Sequence, residues 1–261
     1  MTLKQILYFP LMAAGIDLRK VMRSFCGLFR YIDHCRRFCK MRGRDKICCS
    51  FCAPCTTDWY ESSGNVQSPY FLQDLYVARK IYEANPCRHV DVGSRIDGFV
   101  AHVASFRCIE EIDIRPNPAK IPHVIFRQAD FMKELPKELI GCCDSASCLH
   151  ALEHFGLGRY CDMLNPDGYL VGLENLWRLL KPGGKLYLSV PIGPTRVEFN
   201  SQRVFSVAYA VRILSDRFAI KEFSYIDDAC VLHDNVDLTP GDIENSFGCS
   251  CGCGIFILVK R

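Results

Sequence analysis

From about residue 68 onward, short runs of apolar residues alternate with stretches in which apolar residues recur at helical spacing. The apolar runs predict strands at 88–92, 108–114, 124–128, 142–148, 185–190, 218–225 and 254–260. Helical spacing predicts helices over 97–106, 170–180 and 204–215. Ser68-Pro69 predicts a further helix start, whose sheet-facing residues would be Phe71, Leu72, Leu75, Ala78 and Tyr82.

Strands that alternate with helices predict an α/β fold with a mostly parallel sheet and helices on both faces. No helix is predicted between the last two strands, so we expect seven strands with an antiparallel last one. The whole pattern fits one domain, residues 68–261. A Cys-rich linker, residues 47–67, would precede it.

Residues 1–46 differ from the rest because they carry eleven Lys and Arg against three Asp, a net charge of +8. The rest of the chain therefore nets −5, since the total is +3. Such a basic segment suits an anionic surface such as a membrane, or is simply a solvated basic helix. Nucleic acid is not an expected partner, because aromatic and basic residues are not interleaved.

The apolar run Ile6–Ile16 is too short to cross a membrane. Its charge order favours a basic amphipathic helix from Leu3 to about Phe38 over a cleaved signal peptide. The seventeen cysteines are read mostly as reduced thiols, which predicts a cytoplasmic protein, peripheral at a membrane if the helix contacts lipid.

The most informative stretch is His89–Gly98, an apolar run that ends in an acid and a glycine turn. A second run, Cys108–Ile114, follows and carries Asp113 near its end. A strand, a glycine turn that opens a helix, and a strand that ends in a carboxylate indicate a Rossmann-like site for a nucleoside cofactor.

These motifs continue along the chain as Asp91-Val92-Gly93, Asp113, Asp130, Leu152-Glu153-His154 and Lys181-Pro182-Gly183-Gly184. In this order they resemble the motifs of class I S-adenosylmethionine-dependent methyltransferases over roughly residues 70–260. More closely, the stretches 89–100, 147–156, 189–193, 197–200 and 252–256 resemble an uncharacterised methyltransferase-like family described from nematode (Caenorhabditis) sequences.

The resemblance implies a Rossmann-like methyltransferase fold that binds S-adenosylmethionine. The cofactor-binding positions it implies are Asp91, Gly93, Ser94, Arg95, Gly98, Asp113, Asp130 and Ser147. Arg95 departs from the family pattern because it stands where a glycine is expected. Its guanidinium would either contact the cofactor or close the pocket.

His150, Glu153 and His154 are the catalytic candidates, on the expectation that they share one face of a helix after the fourth strand. A histidine would act as general base. Alternatively, the three residues could hold a divalent cation, or Glu153 and His154 could form a structural pair that caps a loop. Gln202 stands where the family leads us to expect His. We interpret the cluster of Cys49, Cys52 and Cys55 as incidental cysteine richness, in preference to a metal site or to lipid attachment.

Methyl transfer to an oxygen or nitrogen of a small-molecule or glycan acceptor is the function that the resemblance implies. The alternative is a catalytically silent fold that serves as a binding module, with peripheral membrane contact through residues 1–46. Fold alone does not decide between them, because function resides in the site.

Overall fold

The computed structural model describes residues 11, 14–41, 53–61, 63–64, 66 and 68–261. The chain divides into two compact units, Met1–Asn65 and Val66–Arg261. Most of the predicted cysteine cluster, including Cys49 and Cys52, lies outside the described residues. Within the described part, no helix is both long enough and apolar enough to span a bilayer.

The first unit contains one long helix, α1, over Leu18–Lys40. The Asp17 carboxylate accepts the backbone N–H groups of the second and third residues after it, at 2.9 and 3.4 Å. This cap satisfies donors that a helix start leaves free and so defines the start. The expectation of one helix from Leu3 is wrong, because residues 14–17 form a turn and an extended segment with Gly15 at φ +79°.

The second unit is an α/β domain. Its strands are β1 His89–Val92, β2 Ile109–Asp113, β3 Val124–Gln128, β4 Cys143–Leu149, β5 Leu180–Ile192, β6 Arg196–Glu198, β7 Gln202–Val204, β8 Phe218–Ile226, β9 Leu232–His233 and β10 Gly252–Lys260. Its helices are α2 Pro69–Ala84, α3 (Ile96–Val100 running into Ala101–Ala104), α4 Gly168–Leu179, α5 Val207–Ser215 and α6 Pro240–Asn245.

Eight strands form the central sheet in the order β3-β2-β1-β4-β5-β10-β8-β9, and β6 and β7 form a separate hairpin. The pairs from β3 to β5 are parallel, whereas β10 is antiparallel to both its neighbours. The predicted mostly parallel sheet with an antiparallel last strand is confirmed. The two-residue strand β9, too short to be read from an apolar pattern, adds an eighth strand.

Two predicted details need correction. The short helix α6 does lie between β8 and β10. On α2, the buried residues are Gln73, Asp74, Val77, Ala78 and Ile81, whereas Leu75 and Tyr82, expected to face the sheet, are exposed. The expected face was wrong because it followed apolar spacing alone, and this helix also buries polar side chains.

Apolar side chains cover both faces of the sheet. On one face, Ile81 of α2 and Phe99 and Val103 of α3 pack in one cluster. In a second cluster, Leu176 of α4 and Leu214 of α5 pack with the sheet. The strand order reverses between β1 and β4, and in α/β sheets ligands bind outside the carboxyl ends of the strands at such a reversal.

Candidate functional site

A cleft opens at the carboxyl ends of β1, β2 and β4, where the strand order reverses. Its empty volume is about 1050 Å³, part of it open to solvent. Its wall combines predicted residues with others from α2 and from the segments after β2, β3 and β4. From the predicted set it includes Gly93, Ser94, Arg95, Asp113, Asp130, His150 and His154.

The buried carboxylate of Asp91 stabilises the turn after β1 through hydrogen bonds. Gly93 has φ +76° and donates its N–H to the Ile112 carbonyl at 2.9 Å. The Asp91 carboxylate accepts the Ser94 N–H at 3.0 Å and hydroxyl at 2.7 Å, and also the Ser147 hydroxyl at 2.5 Å. Burial raises the pKa of Asp91 to about 7. Asp91 and Ser147 therefore build the turn and are not among the residues that line the cleft, so direct cofactor contact stays a prediction for both.

Arg95 does not fill the cleft. Its side chain is 69% exposed and pairs with Asp97, with Nη2 2.6 Å from Oδ2. Gly98 lies in α3 against Asp74, where an added Cβ would sit 2.6 Å from Oδ2. Gly98 packs against α2 and is not among the residues that line the cleft, so its cofactor contact stays a prediction.

Asp113, at the end of β2, is bound on both oxygens by an arginine that the sequence analysis missed. Arg115 donates its N–H (2.7 Å) and Nε (2.9 Å) to Oδ1, and its Nη2 lies 2.5 Å from Oδ2. The Arg115 guanidinium also lies 4.6 Å from the centre of the Tyr160 ring. A ligand that bonds to Asp113 must share or displace this guanidinium. Asp130 lines the cleft beyond β3 and accepts the Met132 N–H at 2.9 Å.

His150, Glu153 and His154 do cluster, although not on an α-helix. His150 follows β4 with φ +48°, and the other two lie in the single helical turn Leu152–His154. Glu153 is fully buried, with Oε1 3.0 Å from His150 Nδ1 and 3.6 Å from His154 Nε2. Both histidines line the cleft, whereas Glu153 lies behind them.

The two histidines have opposite pKa shifts. For His150, burial lowers the pKa, but the neighbouring Cys253 and Glu153 outweigh burial and raise it well above its usual value. For His154, burial lowers the pKa, and Glu153 only partly opposes the shift. At neutral pH this arrangement favours a cationic His150 paired with Glu153 beside a neutral His154. His154 Nδ1 lies 2.7 Å from the Ser201 carbonyl, which leaves Nε2 as the proton acceptor.

A buried arginine holds the turn that carries this cluster. Arg203 is buried and donates hydrogen bonds to backbone carbonyls. Its Nη1 donates to Glu153 at 3.1 Å and Phe155 at 2.7 Å, and its Nη2 donates to Pro166 at 3.0 Å. Gln202, next to it, donates to Glu198 Oε2 at 3.0 Å. Arg203 thus positions Glu153 and is not among the residues that line the cleft.

Helix α2 supplies site residues that the sequence analysis also missed. Tyr70, Gln73 and Asp74 line the cleft, and the Tyr70 ring lies 4.9 Å from the His150 ring in an edge-on arrangement. Gln73 accepts the Ser189 hydroxyl at 2.5 Å and donates to Asp74 at 2.9 Å. The sequence did carry a signal for this face, because Gln73 and Asp74 lie on the same side of the helix as the apolar positions 77, 78 and 81.

The metal interpretation of this cluster gains no support from the structure. Among the described residues, no group of three or more His, Cys, Asp or Glu side chains is arranged to hold a metal ion. His150 Nδ1 lies 3.0 Å from Glu153 Oε1, and the buried ring has no better aligned hydrogen-bond partner in the described part of the chain. The nearest partner of His150 is therefore the Glu153 carboxylate and not a metal ligand set.

Residues 123–229 match a family model described as "Caenorhabditis protein of unknown function, DUF268". This match confirms the resemblance to an uncharacterised nematode family. None of the curated protein sequences matches this chain.

Several solved structures share the fold. One is the Burkholderia thailandensis 1,6-didemethyltoxoflavin-N1-methyltransferase with bound 1,6-didemethyltoxoflavin and S-adenosylhomocysteine, with 15% identity over 78% of this chain and 81% of that chain, TM-score 0.54. Another is the N-methyltransferase NodS from Bradyrhizobium japonicum WM9 in complex with S-adenosylhomocysteine, with 13% identity over 81% of this chain and 94% of that chain, TM-score 0.51. The [4+2]-cyclase SpnF aligns at 16% identity over 73% of this chain and 80% of that chain, TM-score 0.51. These likenesses confirm the Rossmann-like methyltransferase fold.

Proposed function

We propose that this protein transfers a methyl group from S-adenosylmethionine to an oxygen or nitrogen of a small-molecule or glycan acceptor. The observation that carries the proposal is one cleft that joins the glycine turn after β1, the carboxylate at the end of β2, and His150 and His154. Two proteins of the same fold bind S-adenosylhomocysteine, which supports the same cofactor class here.

The residues of the cleft fit this cofactor. At the turn formed by Gly93 and Ser94, the cofactor could approach the backbone closely. Asp113 would accept hydrogen bonds from the ribose hydroxyls. Asp130 would hold the adenine amino group. When bound, S-adenosylmethionine supplies a methyl group activated by a sulfonium charge.

The chain's own contribution to the reaction is to orient the acceptor and to accept its proton. His154, whose pKa burial lowers, is neutral near pH 7 and would take the acceptor proton at Nε2. Ser201 would hold the proton on Nδ1 of the same ring. His150, with its raised pKa, would present positive charge to the cleft. Opposite pKa shifts in neighbouring groups are typical of an acid–base assignment.

The alternative function, a catalytically silent binding module, has one specific observation in its favour. Arg115 already binds both oxygens of Asp113, the group that would receive the ribose. The same fold also occurs in a protein named as a [4+2]-cyclase, so the fold does not by itself require methyl transfer.

Location is a further part of the proposal. The ten cysteines of the second unit are free thiols, which supports a reducing compartment such as the cytoplasm. Contact with a membrane through residues 1–46 would make the protein peripheral.

Calorimetric titration of the full chain with S-adenosylhomocysteine tests the proposed cofactor. We expect binding that weakens by about tenfold or more in Asp113→Asn, since hydrogen bonds to a charged group are worth about 1.5–3 kcal/mol. Glu110→Gln is the matched control. It removes a carboxylate of the same strand that also pairs with an arginine, Arg88, at 2.5 Å, but lies outside the cleft.

Two outcomes separate the functions. If the wild-type chain does not bind but Arg115→Met does, the arginine closes a cofactor site that is otherwise intact. If neither chain binds, the methyl-transfer proposal fails and the silent binding module stands.

A further inference from the structure

Helix α1 carries an exposed apolar stripe along its length. The stripe residues recur at intervals of three and four, which places them on one side of a helix. They are Leu18, Val21, Met22, Phe25, Leu28, Phe29 and Ile32, and all of them are exposed. Apolar surfaces of this extent on soluble proteins normally mark an interaction site.

The middle of the opposite side of α1, between Gly27 and His34, is already covered within the same unit. Gly27 packs so closely on the Thr56 carbonyl that an added Cβ would overlap it. The Arg30 guanidinium lies 4.2 Å from the Trp59 ring, and the His34 ring lies 6.4 Å from the same ring. Because segment 56–60 occupies this side, the apolar stripe is the side that α1 presents outward.

Charge decides which partner fits the stripe. Between Leu18 and Lys40 the helix has seven basic residues and one acidic residue. Two copies that paired through the stripe would bring fourteen basic residues together, which like-charge repulsion opposes. An anionic lipid surface instead attracts the basic residues while its acyl region receives the apolar ones.

The dimensions of the helix agree with this partner. At 1.5 Å per residue, the 23 residues of α1 span roughly 35 Å. The helix is too polar to cross a bilayer, so the orientation that buries the stripe lies in the membrane plane. We propose that α1 binds the surface of an anionic bilayer, with its apolar stripe inserted between the lipid headgroups.

Co-sedimentation of the full chain with vesicles tests this proposal without reference to catalysis. We expect binding to phosphatidylcholine vesicles that contain phosphatidylserine, and weaker binding to pure phosphatidylcholine. Phe25→Glu with Phe29→Glu should lower the binding constant by about a hundredfold or more, because two buried aromatic side chains are lost from the interface. Circular dichroism of this variant checks that α1 still forms.

Phe38→Glu is the matched control. Phe38 lies nine residues after Phe29, two and a half turns at 3.6 residues per turn, and so points to the opposite side. Its exposure of 64% is close to the 66% of both stripe phenylalanines. This variant makes the same chemical change and should keep vesicle binding.

A second variant separates charge from helix stability. Arg19 and Lys20 lie in the first turn of α1, where the helix dipole disfavours cations. Replacing both with glutamine should leave the helix at least as stable. It should weaken binding to anionic vesicles by roughly fivefold per charge, the equivalent of about 1 kcal/mol for each basic residue.

The proposal is overturned if the wild-type chain does not sediment with anionic vesicles. It is also overturned if the stripe variant binds as well as Phe38→Glu does. A concentration-dependent dimer that the stripe variant abolishes, in the absence of vesicle binding, would assign the stripe to a second copy of the chain instead.

Discussion

Replacing Gly93 with alanine perturbs the turn on which the candidate cofactor site depends. Gly93 begins the turn after β1 with φ +76°, a left-handed conformation that side chains disfavour. An added Cβ would also sit 2.9 Å from the Cβ of Ala151. The substitution therefore combines backbone strain with steric overlap, and Ala151 cannot relieve the overlap by a rotamer change.

The two contributions have separate magnitudes. The left-handed conformation costs about 1–2 kcal/mol for a residue with a Cβ. Carbon atoms prefer separations of about 3.5–4.0 Å, so the overlap must move the backbone, and such overpacking costs about 1–3 kcal/mol. We expect Gly93→Ala to lower the free energy of unfolding by roughly 2–5 kcal/mol in total.

Gly183→Ala provides the matched control. Gly183 has nearly the same φ, +75°, but nothing lies within 4 Å of its ideal Cβ. This variant should show only the backbone contribution. The difference between the two variants then measures the overlap with Ala151.

Urea unfolding followed by the fluorescence of Trp177 measures both variants. The chain has two tryptophans, so a Trp59→Phe background leaves Trp177 of α4 as the reporter of the second unit. Titration with S-adenosylhomocysteine of the same proteins should show weaker binding for Gly93→Ala alone. Equal losses of stability in Gly93→Ala and Gly183→Ala would refute the argument from overlap, and unchanged binding would remove Gly93 from the cofactor site.

Two pH-dependent predictions follow from the site. Burial lowers the pKa of His154, whereas the surroundings of His150 raise its pKa, so in NMR titrations the Cε1–H resonance of His154 should titrate below pH 6.5 and that of His150 above it. The variants His150→Gln and His154→Gln assign the two signals. The reverse order of the two pKa values would contradict His154 as the base. Asp91 has a folded pKa of about 7 against an ordinary value of 3.8, so its contribution to stability is complete below pH 3.8 and is lost as the pH rises through 7. Asp91→Asn cannot ionise, so relative to this variant the wild-type chain should lose about 4 kcal/mol of its free energy of unfolding between these two pH values, measured by urea unfolding. If the free energies of unfolding of the two proteins change in parallel with pH, Asp91 does not ionise in this range.

The seven longest strands of the sheet and most of their connections could be predicted from the sequence, because each depends on local pattern. The apolar runs at β1 and β2 lie between polar turns, and Gly93 interrupts the first run where the chain must bend. The cleft position followed from the same pattern, since parallel strands bring their carboxyl ends to one edge. His150, Glu153 and His154 cluster as predicted, although a wrong local structure was assigned to them.

Side-chain direction could not be predicted in this way. Arg115 lies two residues after Asp113, and nothing in that spacing indicates that its guanidinium turns back onto the carboxylate. On α2, apolar spacing selected the exposed Leu75, while the polar Gln73 and Asp74 are buried against the cleft. Arg203 is buried, unlike most arginines, because backbone carbonyls from the site loop converge on it.

By itself, the sequence determined the order of strands and helices, the glycine turn and the basic character of the first segment, because these depend on residues close together in the chain. Only the tertiary structure decided that Asp91 supports the turn from below, that Arg115 binds Asp113 and that His150 and His154 have opposite pKa shifts. Each of these depends on burial and on partners distant in sequence, and a pKa or an ion pair is a property of that assembled environment.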